Sequence, residues 1–96
     1  MAGKLERRRV VVTGLVQGVG FRWRARKAAE LYGVTGWVRN DREGSVSMEL
    51  QGLPEQIDLL LQSLERGRYI RIEGLHAVRI PPEPEERDFR VLDDRW

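Results

Sequence analysis

The chain has 96 residues, 17 of them basic and 15 acidic, and no cysteine. That length fits one domain over 1–96, and the missing thiol excludes disulfides, thiolate metal sites and a cysteine nucleophile. No apolar run approaches the roughly 20 residues of a membrane span, and the charged start "MAGKLERRR" has no apolar segment behind it, so a cytoplasmic protein with no membrane partner is expected.

Residues 7–13, "RRRVVVT", are β-branched up to a glycine and predict a strand. Apolar residues then recur at Phe21, Ala25, Ala28, Ala29 and Tyr32, one face of a helix that Gly33 can end. Residues 34–40, "VTGWVRN", predict a second strand. After "DREG", Val46, Met48 and Leu50 alternate with polar residues in a third, and the two make a hairpin. Pro54 suits the first turn of a second helix, with Ile57, Leu60, Leu61 and Leu64 on one face and Gly67 at its stop. Ile70 to Ile80 is β-rich with an irregularity near Gly74, "PPEPEERD" is loop-like, and "FRVL" at 89–92 adds a short last strand. The order β-α-β-β-α-β plus one strand predicts an α+β fold. It is a ferredoxin-like α/β sandwich with both helices on one face of a mixed, mostly antiparallel sheet.

The segment "GLVQGVGFRW", residues 14–23, joins the first strand to the first helix. Unpaired N–H groups and the dipole at a helix start favour an anion, and glycines let successive N–H groups converge. Arg22 stands about 100° round from Phe21, off the buried stripe. Two readings fit: a phosphate-sized anion site with an arginine clamp, or a tight turn whose glycines only permit packing. The P-loop ending Gly-Lys-Ser/Thr is missing, and Trp23 stands where a dinucleotide fingerprint begun at Gly18 needs glycine.

"GLVQGVGFRW" followed by "GVTGWVRNDREGSV" resembles the acylphosphatases, whose pattern G-x-V-Q-G-V-G-F-R, then G-W-V-x-N, then a glycine-ended hairpin is filled from Gly14 to Val46. The resemblance extends over essentially the whole chain. It implies that the amides of Val16, Gln17, Gly18, Val19, Gly20 and Phe21, together with Arg22, bind phosphate and that Asn40 orients the attacking water. The implied substrate is a small-molecule acyl phosphate, with phosphate or sulfate as a product-like ligand and no cofactor or metal.

The residues suit that chemistry. An acyl phosphate leaves as a carboxylate, whose conjugate acid has a pKa of about 4 to 5, so it departs without protonation. Phosphoryl transfer is then positioning and charge stabilisation, which an arginine, amides and an asparagine can supply. Asn is no base at neutral pH; it can only hydrogen-bond. Asn40 also has a plainer reading, as a residue that ends a strand and opens a turn.

Other residues read as structural. His76 is expected at the surface or in packing, Trp37 in packing or flanking the site, and Arg26 on a solvated helix face one turn beyond Arg22. Ser45 and Ser47 fall on the polar face of the hairpin. Asp41 places a carboxylate beside Asn40, which Arg39 or Arg42 can neutralise, and Asp93 or Asp94 is expected to reach the arginine of an empty site. Fifteen of the 17 basic residues are arginine, but a net charge of +2 does not by itself argue for nucleic acid. An RNA-binding module is the first alternative, and the first and third strands lack the aromatics it needs. The motif also occurs at the head of long carbamoyl-transfer maturation proteins with Cys-rich segments, whereas this Cys-free chain is expected to be free-standing. The third alternative is an anion binder without turnover. A monomer is the default for this size.

Overall fold

Seven elements follow one another in the computed structural model, which describes residues 4–93. They are β1 (Glu6–Leu15), α1 (Phe21–Tyr32), β2 (Thr35–Asn40), β3 (Val46–Gly52), α2 (Pro54–Glu65), β4 (Arg71–Ile80) and β5 (Phe89–Val91). The expected ferredoxin-like order is present. β1 runs longer than the β-branched stretch suggested, because both β3 and β4 pair along it.

The five strands lie in the order β4-β1-β3-β2-β5. All pairings are antiparallel except the short parallel one between β2 and β5. The register of β1 against β4 slips at Thr13/Gly14, opposite Gly74 and Ile72, which leaves Glu73 as the extra residue. This is the irregularity expected near Gly74. Gly14 is required there, since a Cβ would lie 2.3 Å from the Arg71 carbonyl oxygen.

Strand alternation puts Val10, Val12, Val38, Val46, Met48 and Leu50 on one face, all fully buried. Phe21, Ala25, Ala28 and Ala29 of α1 and Ile57, Leu60 and Leu64 of α2 close over them. The small alanines let α1 lie close to the sheet. The helices are also tied directly, the Arg24 Nε donating to the Ser63 carbonyl at 2.6 Å. The Gln56 side chain satisfies the Leu53 N–H at the head of α2, at 2.8 Å.

The other face is more covered than its polar sequence suggests. The 81–88 segment folds back over it. Gln51 donates to the Glu83 carbonyl at 2.9 Å and accepts from the Glu83 N–H at 2.7 Å. Arg7, whose side chain is only 3% exposed, reaches Glu49 at 2.9 Å and Glu86 at 2.8 Å. Burial pulls the Arg7 pKa down, but the hydrogen bonds to Glu86 and Glu49 outweigh it and the net direction is up. At the start of β1, Glu6 is held below its ordinary value of 4.5, first by the hydrogen bond from Arg8, against a cost of burial, and further by the charges of Arg8 and Arg79.

Candidate active site

The antiparallel pairings bring the ends of β1, β2 and β5 and the start of β4 to one end of the sheet. The bend between β1 and α1 crosses this end. Gly18 has φ 73° and Gly20 φ 81°, and Gly20 is the N-cap of α1 with no side-chain capping bond. A Cβ at either would meet nothing within 4 Å, so backbone conformation and not crowding demands glycine. Left-handed residues alternating along a bend turn successive N–H groups to one side, and the open N-terminus of α1 adds its own.

A pocket of about 400 Å³ opens here. Val16, Gly18, Gly20, Phe21, Arg22 and Asn40 border it together, so six of the eight residues singled out from the sequence meet at one place. Phe21 and Val16 are buried and anchor the bend to the core. Arg22, the second residue of α1, is half-buried. Trp23, Arg26 and Val91 also border the pocket. Arg26 is exposed and pairs with Glu30 at 3.4 Å, as a solvated helix position should, yet it faces the pocket too. Val91 arrives through the β2–β5 pairing, opposite Val38, for which the sequence holds no local signal.

The side chains of the remaining two go elsewhere. Gln17 donates from Nε2 to the Asp41 carbonyl at 2.7 Å and to the Ser45 carbonyl at 2.8 Å. It clamps the glycine bend to the β2–β3 hairpin. Val19 borders a separate groove on the β4 side. Only their backbones stay with the bend.

Asn40 is the last residue of β2, on the same face as Val38, and 6% exposed. Its Oδ1 is buried with no hydrogen-bond partner among the described residues. A buried acceptor left unpaired costs free energy, which a bound donor would recover.

Asp41 bonds on the opposite face. Its carboxylate accepts from Arg39 Nε at 3.3 Å, from Ser45 Oγ at 2.9 Å and from Ser47 Oγ. The neutralising role expected of Arg39 is present. The two serines, expected on a polar face, are buried because they ligate this carboxylate. Trp37 is on that face as well, with the Arg39 guanidinium 5.0 Å from its ring, and does not flank the pocket. His76 is exposed on β4. Asp93 is exposed, and Asp94 lies outside the described residues. Among the described residues, no three His, Asp or Glu side chains gather as a metal-binding group.

The fold is an α/β sandwich with a glycine-built bend and an uncapped helix start beside a pocket at one end of its sheet. The acylphosphatase family model matches residues 8–91. An acylphosphatase of Geobacillus thermodenitrificans is 36% identical over 89 residues, 92% of this chain and 95% of that one. The solved acylphosphatase of Coxiella burnetii superposes with a TM-score of 0.83 at 35% identity, over 92% of this chain and 93% of that one. Full-length HypF has the same fold over 98% of this chain and 13% of its own, with a TM-score of 0.86 at 22% identity. The chain belongs to the acylphosphatase family. Its activity is that of a hydrolase acting on acid anhydrides, the acyl phosphates.

Proposed function

We propose that the pocket at the start of α1 binds the phosphoryl group of the acyl phosphate and that Asn40 delivers the water. The phosphoryl oxygens lie against the backbone N–H groups of residues 16–21, with the Arg22 guanidinium closing the cradle. Both are donors preorganised toward an anion, and both gain as charge spreads over the equatorial oxygens in the transition state. The Asn40 Oδ1 accepts a hydrogen bond from one water and so aims its lone pair at phosphorus. The P–O bond to water forms while the P–O bond to the acyl oxygen breaks. The electron pair leaves on the carboxylate, and the proton of the water passes to the phosphate. The carboxylate needs no general acid, and the described residues bordering the pocket offer none. No step calls for a metal.

The observation that carries this reading is the buried Oδ1 of Asn40, without a partner among the described residues, in the same pocket as Arg22 and the two left-handed glycines. Inorganic phosphate or sulfate is the proposed product-like ligand. One chain supplies every group of the site, so the monomer is the proposed working unit, and the cytoplasm is its proposed setting. Hydrolysis in ¹⁸O-labelled water tests the step. Label in the phosphate is expected; label in the carboxylate would mean attack on the carbonyl carbon and would overturn the role of Asn40.

A further inference from the structure

The elements that meet at the site arrive in a fixed lateral order. β1, β2 and β5 finish there, at Leu15, Asn40 and Val91, and antiparallel β4 begins there at Arg71. Across the sheet the order is β4-β1-β3-β2-β5. The bend leaving β1 therefore lies between Asn40 on one side and the start of β4 on the other. A hollow flanks it on each side, and the two share Gly18 and Gly20 as their common wall. One is the pocket with Arg22 and Asn40. The other is an open groove of about 930 Å³ bordered by Leu15, Val19, Tyr69, Ile70 and Arg71.

Phosphoryl transfer runs with the attacking and leaving oxygens roughly in line. A water held by Asn40 sits on the β2 side of phosphorus. The bond that breaks must then point the opposite way, over the shared glycine wall toward β4. The acyl group cannot share the Asn40 side with the water that displaces it.

Resting on the function proposed above, we infer that the β4-side groove is the acyl subsite, and that it favours acyl groups with an apolar body and a second, distal anion. Its surface has the required chemistry. Leu15 is 55% exposed and Tyr69 65%, both large side chains open to a ligand beside the glycine bend. The Arg68 guanidinium lies 5.6 Å from the Tyr69 ring and adds positive charge beside it. Arg71 is exposed and makes no ion pair among the described residues. Glu73 is the one carboxylate at the groove among the described residues, set against the two arginines. An aliphatic or aromatic acyl body covers Leu15 and Tyr69, and a distal carboxylate or phosphate meets Arg71.

The test compares kcat/KM for acetyl, benzoyl and succinyl phosphate in the unmodified protein and in Arg71→Ala, Tyr69→Ala and Trp23→Ala. Arg71→Ala is expected to lower the succinyl-to-acetyl ratio about fivefold, the upper range for an exposed ion pair. Tyr69→Ala is expected to lower the benzoyl-to-acetyl ratio by roughly fivefold, on the scale of one aromatic pairing. Trp23→Ala, on the Asn40 side, leaves both ratios in place. Ratios indifferent to Arg71 and Tyr69, or moved by Trp23 instead, overturn the subsite while leaving the cradle intact. An unmodified protein that hydrolyses none of the three removes the proposed function and the subsite with it.

Discussion

Gln17 reaches out of the glycine bend and donates its side-chain N–H to the backbone carbonyl of Asp41, 2.7 Å away. The same nitrogen donates to the Ser45 carbonyl at 2.8 Å. One amide thus joins the segment proposed to cradle phosphate to the hairpin that carries Asn40. The two halves of the proposed site come from elements separated by the whole of α1, and this clamp sets their spacing. In Gln17→Ala two hairpin carbonyls lose a donor and the bend loses its reference point. A small misplacement of reacting groups can cost up to about 10²-fold. We expect kcat to fall about tenfold, with the phosphate inhibition constant changing less; steady-state kinetics with phosphate as inhibitor check this.

Asn40 carries an unusual pair of consequences. Its Oδ1 has no partner among the described residues, so Asn40→Ala removes an unsatisfied buried acceptor. Such a change is near neutral for stability, or stabilising. Loss of a preorganised group costs about 10²–10³ in rate. The expected variant is therefore folded, at least as resistant to heat, able to bind phosphate, and nearly inactive. Thermal unfolding and phosphate titration check the first three, and an activity assay the last.

Gly20→Ala tests the cradle backbone. The substitution meets open space, so packing does not oppose it, but φ of 81° does. The left-handed conformation costs a Cβ-bearing residue about 1–2 kcal/mol. If the backbone yields instead, the N–H groups turn away from the anion. Weaker phosphate binding accompanied by lower stability is expected, measured by calorimetric titration and denaturant unfolding.

The pH dependence of stability follows from Glu6. Its folded pKa is depressed below 4.5, chiefly by the hydrogen bond from Arg8. A depressed carboxylate contributes stability that is complete above its unfolded pKa and is lost as pH falls through the folded value. Unfolding free energy should therefore decline on acidification below about pH 4.5, and Glu6→Gln should flatten that limb while lowering stability at neutral pH. Denaturant melts between neutral pH and pH 3 measure both.

Arg7 tests the covered sheet face. Its side chain is 3% exposed between Glu49 and Glu86. Removing one partner of a buried ionic cluster costs about 3 kcal/mol; here Glu86 loses its guanidinium at 2.8 Å, while Glu49 keeps Arg9 at 3.4 Å. Arg7→Ala should shift the denaturant midpoint strongly while leaving KM, read at the far end of the sheet, close to its original value.

These residues also mark where the sequence is legible. β1, α1 and the hairpin are local patterns. β-branched residues run into a glycine, an alanine-rich stripe follows at helical spacing, and alternation resumes after "DREG". The bend, Arg22 and Asn40 lie within or at the edges of those patterns, so the pocket they border could be located with the fold, while the roles proposed for them rest on the family resemblance. What was hidden depends on pairing between distant segments. Arg7 meets Glu86 across 79 positions, and nothing near either residue signals the partner. "PPEPEERD" reads as a loop, and its role as a cover for the sheet appears only once Gln51 and Arg7 face it. Ser45 and Ser47 alternate as surface residues do, until the turn brings Asp41 over them. Val91 enters the pocket through the parallel pairing of a three-residue strand, too short to carry a pattern of its own.

The most direct test of the account is hydrolysis of benzoyl phosphate in excess EDTA by the unmodified protein, Arg22→Ala and Asn40→Ala. The account predicts turnover that survives the chelator and falls by about 10²–10³ in each variant. Activity abolished by EDTA, or variants as active as the unmodified protein, would contradict it.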